Sequence, residues 1–489
     1  MFRHLKYTVS LKSQIVKKEC TVLARAYHCS PILNGNIPSD KESQTKPYQS
    51  VADYYAGKSV FLTGATGFLG KVFIERLLSS CTEIDKIYVL IRPKKGAPVQ
   101  QRIHELLENP IFTTLRYTKP DYLKKVVPVA GDVTEPDLGI NLEDEQTLIE
   151  KVSVIFHAAA IVKFSEPFKK ALDVNVEGTR KVMKLSQRMQ NLDIFVHIST
   201  AFSNTDRLII DEMVYPAPKT VEDAMKIAKT HKNDDEETEK FLSGHTNTYT
   251  FSKSLAESLV LENYKNMRTI IVRPSIVSPI LQGPLPGWLD SWVAGTGLFT
   301  DVSRGLTRII YGNSKAVIDL IPVDYVCNLT IVAAAKSPKT DELLVYNSSS
   351  GSTNPVTWIQ AANLFTKESG RFGYRTLPFP YVFGSESPMV VNSVTFLLQT
   401  VPSFIADIWL RVTGRKPKYM KLQPRAVLLR DMLKEFSTSN FLIKTDRAQE
   451  LIAMLDEKDR KQFMCDPKTI DWKEYFLIYC YGVKKYLLK

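Results

Sequence analysis

Apolar and polar positions along residues 51–354 follow the rhythm of short buried strands separated by amphipathic helices. Lys58–Leu62 predicts the first strand, and a glycine-rich turn and a helical apolar pattern follow it as far as Leu78. Ile87–Ile91 predicts the second strand. Four more apolar runs predict strands at Val126–Val129, Val154–His157, Phe195–Ile198 and Thr269–Val272. Because strands and helices alternate, we predict an α/β fold with a parallel, doubly wound sheet of the Rossmann type.

The pattern changes near residue 355, where longer helical periodicities begin and no further glycine turn occurs. We therefore predict three regions: a basic extension and linker (1–50), a cofactor-binding domain with the substrate region (51–354), and a mostly helical C-terminal domain (355–489). The terminal segment Tyr475–Lys489 combines aromatic residues with lysines. It fits either contact with a membrane surface or a packed terminal helix.

Residues 390–412 are largely apolar but include Asp407 and Arg411. A bilayer span needs ~20 predominantly apolar residues, and an acid near its centre costs roughly 2.5–3.5 kcal/mol. We therefore predict a re-entrant, interfacial or buried amphipathic pair of helices here rather than a spanning helix. A membrane surface is accordingly one expected partner.

The first thirty residues contain six basic residues and a single acid, Glu19. They lack the continuous apolar core of a secretory signal. Two interpretations stay open for this segment, a mitochondrial transit peptide and a basic tail without structure.

Composition narrows the class of protein. With 489 residues, 44% hydrophobic and 24% charged, the chain is typical of globular proteins. The net charge of +12 fits nucleic acid, an anionic membrane or a phosphate-rich ligand. No nucleic-acid-binding motif is visible, so we expect no nucleic acid partner. The six cysteines form neither a C-x-x-C pair nor a zinc-binding spacing, which indicates an intracellular protein without a structural metal.

A glycine turn between the first strand and the first long helix carries the clearest chemistry. Its spacing is G-x-x-G-x-x-G, in the context that dinucleotide binding requires. Gly64 permits a tight turn, Gly67 lets backbone N–H groups approach a pyrophosphate, and Gly70 lets the helix pack on the strand. The cofactor-binding residues predicted in this turn are Thr63, Gly64, Thr66, Gly67, Phe68, Leu69 and Gly70.

Arg92 follows the second strand, where an NAD enzyme normally places an acid for the ribose 2′-hydroxyl. An arginine there, helped by Lys94 or Lys95, suits a 2′-phosphate, so we predict NADPH rather than NADH. Later strand ends supply the other predicted cofactor contacts: Asp132 and Val133, Ala158 and Ala159, and Pro274 and Ile276.

Tyr249 and Lys253 are four residues apart and would share one face of a helix. The ammonium group would lower the pKa of the phenol from its usual ~10. Ser199 and Thr200 close a preceding strand, from which a hydroxyl could reach the same substrate oxygen. A hydroxyl, a tyrosine and a lysine form a proton-delivery set for carbonyl reduction. Either hydroxyl could act, and Thr200 is the preferred candidate.

From about Gly57 to the C-terminus, the chain resembles the alcohol-forming fatty acyl-CoA reductases of the extended short-chain dehydrogenase/reductase superfamily. Several motifs of this resemblance are shared with other extended dehydrogenases, among them TGATGFLGKVFIERLL, FVHISTAFSN and NTYTFSKSLAE. DIWLRVTGRKPKYMKL and IDWKEYFLIYCYGVKKYLLK, in contrast, resemble the second domain of that family.

The resemblance implies reduction of long-chain fatty acyl-CoA by NADPH, through an aldehyde, to a primary alcohol. Tyr249 would protonate the oxyanion, Thr200 or Ser199 would hydrogen-bond it, and Lys253 would hold the cofactor ribose. It also implies association with the endoplasmic reticulum or peroxisomes. Two enzyme alternatives stay open: a reductase that stops at the aldehyde, and a sugar-nucleotide epimerase or hydroxysteroid dehydrogenase. Intact Tyr249 and Lys253 argue against a scaffold that has lost catalysis.

Overall fold

The computed structural model describes residues 48–488 except 94–96, 165, 218, 231–235, 243–244, 246, 293–294, 313–314 and 375–376. The predicted N-terminal extension, apart from residues 48–50, therefore lies outside the described residues, as do Lys94 and Lys95.

Seven parallel strands, numbered β1 to β7 along the described chain, form the central sheet. Their bounds are Ser59–Thr63, Ile87–Ile91, Val126–Ala130, Val152–His157, Ile194–Ile198, Thr269–Pro274 and Leu344–Ser348. They lie in the order β3-β2-β1-β4-β5-β6-β7. This is the strand order of dinucleotide-binding folds, extended by one strand. The prediction of a Rossmann-type, doubly wound sheet is confirmed, although β7 was not predicted.

Three short parallel pairs join distant parts of the chain: Ile209–Ile210 with Leu442–Ile443, Ile276–Ser278 with Leu320–Pro322, and Ile309–Tyr311 with Phe383–Ser385. Two of them connect the C-terminal region to loops that leave the main sheet. Pairs of two or three residues carry too little periodicity to be recognised in a sequence.

Helices cover both faces of the sheet and dominate the chain beyond residue 355, as predicted. The α-helices are Val51–Tyr55, Phe68–Ser80, Val99–Leu107, Thr113–Thr118, Pro120–Leu123, Leu142–Lys151, Phe168–Leu172, Gly178–Ser186, Val221–Thr230, Glu236–Phe241, Thr248–Asn263, Thr296–Ser303, Val323–Lys336, Trp358–Ser369, Pro388–Thr395, Val401–Val412, Tyr419–Met432, Lys434–Thr438, Asp446–Ala453, Glu457–Gln462 and Trp472–Gly482. Short 3₁₀ helices are Pro110–Phe112, Pro136–Gly139, Ala201–Asn204, Gly370–Phe372 and Pro467–Thr469, and π-turns are Asp173–Glu177, Phe396–Thr400 and Val483–Leu487.

The C-terminal region is packed into the same buried clusters as the sheet. Leu451 and Phe463 lie in one core with the strand residues Val60 and Val89. Burying each such side chain stabilises the fold by about 1.5–3 kcal/mol. The division near residue 355 stays a prediction, because side chains from both sides of it share this core.

The last helix is packed against the protein, which agrees with one of the two interpretations of Tyr475–Lys489; contact of this segment with a membrane stays a prediction. Tyr475, Phe476 and Tyr479 are buried, and Tyr475 donates a hydrogen bond to the carbonyl of Pro279 at 2.8 Å. A Cβ added to Gly482 would lie 1.7 Å from the carbonyl oxygen of Gly287. Two backbones touch there, which only glycine permits.

Residues Pro388–Val412 form one continuous helix rather than the predicted pair of helices, and whether the segment is interfacial stays a prediction. A π-turn at Phe396–Thr400 precedes Pro402 and lets the helix continue past a residue that has no amide hydrogen. Within the described chain, this is the one helix long and apolar enough to cross a membrane by length and composition. Only 17% of its most apolar window is buried against the protein.

Candidate active site

The glycine turn after β1 leaves a helix N-terminus open to a ligand. Gly64 has φ +77°, and a Cβ there would lie 2.7 Å from the carbonyl carbon of Ala158. A Cβ on Gly70 would lie 2.3 Å from the Gly64 carbonyl oxygen. Gly67 begins the helix Phe68–Ser80 without any side-chain cap, and Thr66 and Gly67 are exposed. The free N–H groups and helix dipole suit a pyrophosphate, so the residues fit a dinucleotide.

The buried Thr63 side chain stabilises this turn through hydrogen bonds. Its buried hydroxyl lies 2.8 Å from His157 Nδ1 and accepts the N–H of Ala159 at 3.1 Å. It thereby holds the small-residue wall of Ala158 and Ala159 against the turn. Burial lowers the pKa of His157 to about 3, so this histidine stays neutral and supports the turn structurally.

Arg92 and Asp132 lie together at the ends of β2 and β3. The Arg92 side chain is 69% exposed, and its Nε is 3.6 Å from Asp132 Oδ2. Asp132 accepts the N–H of Thr134 at 3.0 Å, which orients its carboxylate. Val133 is buried beside them. An exposed guanidinium here is available for an anionic group of a bound cofactor.

Tyr249 and Lys253 lie in the helix Thr248–Asn263, which Asn247 caps by accepting the N–H of Thr250 at 3.0 Å. Burial raises the pKa of Tyr249 to about 12, and a hydrogen bond with Thr200 acts in the opposite direction. The expectation that Lys253 lowers this pKa is wrong for the protein alone, because desolvation of the phenolate dominates. Tyr249 is therefore a protonated hydrogen-bond donor at neutral pH.

The Lys253 ammonium group is buried and donates to the Ile198 carbonyl at 2.6 Å. Burial lowers its pKa to about 8, and the charge of Glu257 one turn further on opposes that shift. The imidazoles of His157 and His197, the other titratable groups near it, are buried with lowered pKa values. With a pKa of about 8, Lys253 is positively charged at neutral pH and loses its charge after a small rise in pH.

Of the two candidate hydroxyls, the Thr200 hydroxyl interacts with Tyr249 and the Ser199 hydroxyl does not. The Thr200 hydroxyl hydrogen-bonds Tyr249, accepts the N–H of Phe202 at 3.3 Å and lies 3.5 Å from the Pro274 carbonyl. The Ser199 hydroxyl is buried and has no partner among the described residues. Two hydroxyls, from Thr200 and Tyr249, thus converge near Pro274, where a carbonyl oxygen could accept hydrogen bonds from both.

A buried ion pair supports this site, and the sequence interpretation missed it. Arg273 Nη2 lies 2.6 Å from Glu257 Oε2, and neither side chain is more than 1% exposed. Arg273 also donates to the carbonyls of Asp211 and Met213 at 3.1 and 2.8 Å. The pair ties β6 to the helix of Tyr249. A lone arginine within the apolar run Ile270–Val272 and Pro274 was the available signal.

Asn175 is a second residue that the sequence interpretation missed. Its side chain bonds both the N–H of Ile161 (2.8 Å) and the carbonyl of Ile161 (3.2 Å) and donates to Ser252 Oγ at 2.9 Å. It therefore joins the wall after β4 to the helix of Tyr249.

A cluster of aromatic side chains, which includes Phe436 of the C-terminal region, packs beside Tyr249. Phe164 lies 6.1 Å from Tyr249 and 5.7 Å from Phe436 between ring centroids, and Phe436 meets Phe202 edge-on at 5.1 Å. A cavity of about 450 Å³ opens beside them. Its lining residues are Phe164, Asn247, Asp431, Met432, Lys434, Glu435 and Thr438. Its volume lies in the range of small-molecule sites, and its mouth is partly apolar.

Pro274 ends β6 and Ile276 begins the short strand Ile276–Ser278, while Phe68 and Leu69 are half-buried in the first turn of their helix. Phe68 lies 5.4 Å from the Trp288 ring. In the part of the chain that the structure describes, no group of three or more His, Cys, Asp or Glu side chains could hold a metal.

Comparison with known proteins places this site in a family. Two family models, both described as Male sterility protein, match residues 62–330 and 398–489. The first is a nicotinamide-dinucleotide-binding model and covers the sheet and the glycine turn. The chain therefore has a nicotinamide cofactor domain.

Solved structures agree on the fold alone. The terminal R domain of the myxalamid PKS-NRPS pathway superposes with a TM-score of 0.58 at 20% identity, covering 88% of this chain and 92% of that one. UDP-glucuronic acid 4-epimerase from Bacillus cereus, in complex with NAD, superposes with a TM-score of 0.51 at 14% identity, covering 87% and 99%.

Curated relatives are much more similar in sequence. Fatty acyl-CoA reductase 1 of Pongo abelii is 37% identical over 449 residues, 90% of this chain and 86% of that protein. Fatty acyl-CoA reductase 2 of Mus musculus is 36% identical over 451 residues, with the same coverage. Identity of this extent covers the glycine turn, the Tyr249 helix and the C-terminal region together, so the chain is an oxidoreductase that belongs to the fatty acyl-CoA reductase family.

Proposed function

We propose that this enzyme uses NADPH to reduce long-chain fatty acyl-CoA to a primary alcohol, with the aldehyde as intermediate and CoA as leaving group. The grouping of three side chains at the carboxyl end of β5 is the observation that carries this proposal: Thr200, Tyr249, whose pKa responds to Thr200, and the buried Lys253, which binds the Ile198 carbonyl. It supplies two donors to one carbonyl oxygen, as carbonyl reduction requires.

In the proposed mechanism, Thr200 and Tyr249 orient the thioester by donating to its carbonyl oxygen. A bound nicotinamide supplies the hydride to the carbonyl carbon. Tyr249 gives its proton to the oxygen as negative charge develops, and its raised pKa keeps it protonated until then. Lys253 stabilises the charge left on Tyr249. The hemithioacetal then returns its hydroxyl proton to the Tyr249 phenolate as its C–S bond breaks, and the CoA thiolate leaves and takes a proton from water. The aldehyde would accept its hydride from a second NADPH, and Tyr249 would again give its proton to the oxygen, which forms the primary alcohol.

Three features support the choice of a long acyl chain. Phe164, which lines the cavity, packs against Tyr249 and against Phe436, which in turn contacts Phe202, and these aromatic surroundings favour an apolar substituent. The lining residue Met432 adds an adaptable apolar wall. The relatives are named for fatty acyl-CoA. The compartment implied by the resemblance, endoplasmic reticulum or peroxisome, stays a prediction.

NADPH oxidation by the purified chain with palmitoyl-CoA and stearoyl-CoA, with lipid products identified by mass spectrometry, tests the proposed function. Fatty alcohol is the expected product. Aldehyde as the sole product would make the enzyme a two-electron reductase. Absence of turnover despite NADPH binding would favour the epimerase or hydroxysteroid alternatives.

The Arg92→Ala variant is expected to lower kcat/KM for NADPH by roughly 10- to 100-fold, the value of one charge-assisted hydrogen bond. With NADH, which lacks the 2′-phosphate, kcat/KM should stay within about twofold, because Arg92 then has no ligand group to lose. Steady-state kinetics with both cofactors measures this. Arg188→Ala, at another exposed arginine, is the matched control. Equal losses with both cofactors would contradict selection of the phosphate by Arg92.

The affinity for NADPH is expected to weaken as the pH rises through about 8, the pKa of buried Lys253. Above that pH the ammonium loses its charge and one donor to the cofactor ribose, whereas Tyr249, with a pKa of about 12, remains protonated. Fluorescence titration between roughly pH 7 and 10 brackets this loss of charge. The Lys253→Met variant should bind more weakly with no pH step in this range; the same step in this variant would assign it to another group.

A further inference from the structure

The helix Pro388–Val412 buries polar side chains against the protein and exposes large apolar ones. We call it the inverted helix, because an ordinary surface helix does the reverse. The side chains that it buries against the protein include Gln399, Ser403 and Asp407, which lie four residues apart on one stripe. Its large apolar side chains point away from the protein, with Phe396 60% and Trp409 68% exposed. A surface helix in water normally shows the opposite distribution.

The buried polar stripe is fixed by specific hydrogen bonds. Gln399 Oε1 accepts the N–H of Arg308 at 2.8 Å, and Gln423 Nε2 donates to Ser403 Oγ at 2.8 Å. Asp407 accepts the backbone N–H groups of Lys418, Tyr419 and Met420 at 2.8, 2.9 and 2.9 Å. It thus caps the following helix, Tyr419–Met432. The orientation of the inverted helix is therefore set by the protein, and its apolar face is presented outward.

The outward face is broad. Phe396, Leu397, Phe404, Ile405, Trp409 and Val412 are each more than half exposed. Soluble monomers rarely leave an apolar patch of this kind uncovered.

A cluster of positive charge adjoins this face. Residues 411–425 contain six basic side chains and no acidic one. All six are exposed: Arg411, Arg415, Lys416, Lys418, Lys421 and Arg425. A second copy of this chain on the same face would bring two such clusters together, which repulsion disfavours. Anionic lipid headgroups complement both the charge and the apolar face.

We propose that residues 388–425 form a docking surface for an anionic lipid bilayer, with the helix 388–412 lying in the plane of the interface. A spanning orientation would carry Asp407, the helix end that it caps, and Gln399 into the hydrocarbon, which is strongly unfavourable. In the plane, the apolar face enters the membrane while the polar stripe keeps its protein partners.

The same surface lies close to the cavity that Phe164 and Asn247 line beside the Tyr249 helix. Arg430 Nη1 donates to Thr395 Oγ1 at 2.6 Å, which ties the far end of the helix Tyr419–Met432 to the first half of the docking helix. Met432 and Asp431 line the cavity. Resting on the proposed function, this places the cavity mouth at the bilayer surface, where long acyl chains partition. The docking surface itself does not depend on that function.

Flotation of the purified full chain with vesicles tests the proposal without any activity assay. Binding should be stronger to phosphatidylcholine vesicles with roughly one phosphatidylserine in three lipids than to phosphatidylcholine alone. Replacing Phe404 and Trp409 together by Asp should weaken binding on the order of a hundredfold. Replacing Arg415, Lys416 and Lys421 by Gln should weaken binding to the anionic vesicles by at least about tenfold while sparing weak binding to phosphatidylcholine.

Matched controls separate docking from general damage. Tyr117→Asp with Leu142→Asp changes two apolar side chains that are 84% exposed elsewhere, and should bind vesicles as the wild type does. Thermal unfolding should stay unchanged in all variants, because none of the replaced side chains is buried. Equal binding by the Phe404/Trp409 variant, or conversion of a wild-type dimer to monomer without any vesicle binding, would overturn the proposal.

Depth quenching distinguishes an interfacial from a spanning helix. In a Trp409→Phe background, the Leu397→Trp variant carries a new reporter near the middle of the helix. Lipids brominated near the glycerol backbone should quench it more than lipids brominated near the chain ends, because an in-plane helix enters only ~5–10 Å. Stronger quenching by the deep bromines would show a spanning helix and overturn the in-plane orientation.

Discussion

Replacing Tyr249 by phenylalanine is expected to lower kcat for acyl-CoA reduction by roughly 10²- to 10⁴-fold, the usual value of a positioned proton donor. Phenylalanine keeps the ring that lies against Phe164 but removes the hydroxyl that hydrogen-bonds Thr200. The Kd for NADPH should change little, because the glycine turn and Arg92 are untouched. Single-turnover reduction of palmitoyl-CoA and a fluorescence titration of NADPH measure the two quantities.

The two candidate hydroxyls provide an internal control for that result. Thr200→Val should reduce kcat by about 10- to 100-fold, since one donor to the oxyanion is lost. Ser199→Ala should leave kcat within about threefold, because the Ser199 hydroxyl has no partner in the described structure. A Tyr249→Phe variant with unchanged kcat, or a larger loss for Ser199→Ala than for Thr200→Val, would contradict the proposed proton delivery.

Replacing Arg273 by methionine is expected to lower the free energy of unfolding by about 3–5 kcal/mol, because Glu257 is left as an uncompensated buried charge. Two backbone carbonyls, of Asp211 and Met213, also lose their donor. Urea unfolding followed by circular dichroism measures the change. Since the pair ties β6 to the helix of Tyr249 and Lys253, activity should fall with stability.

Two further variants show whether burial is the cause. Arg188→Met breaks an ion pair with Glu145 whose arginine is 55% exposed, and should cost only about 0–1 kcal/mol. The double variant Arg273→Met with Glu257→Leu should recover part of the loss, because no buried charge is then left unpaired. A loss for Arg273→Met as small as that for Arg188→Met would contradict this account.

The relation between Tyr249 and Lys253 shows how a local spacing can be correct while its electrostatic meaning is not. Four residues in a helix bring the two onto one face whatever surrounds them. The direction of the pKa shift depends on burial, and burial depends on distant residues such as Phe164, against which Phe436 of the C-terminal region packs. The local part was predictable, and the environmental part was not.

For the inverted helix 388–412 as well, the sequence predicts a general property but not the surroundings of the individual side chains. Its composition predicts an association with membranes but leaves several arrangements open. The structure shows which face of the helix meets the protein, because the hydrogen bonds of Gln399, Ser403 and Asp407 fix it, and our proposal of an in-plane arrangement rests on that orientation.

By itself, the sequence determined the alternation of strands and helices, the glycine turn of Gly64, Gly67 and Gly70, and the pairing of Tyr249 with Lys253. Each of these is a short-range pattern, recorded in the period of apolar residues or in the conformation that one residue type allows. Only the tertiary structure decided the Arg273–Glu257 pair, the bridge made by Asn175, the aromatic cover from Phe436 and the outward face of Trp409. These depend on which surfaces of distant segments meet, and no local periodicity carries that information.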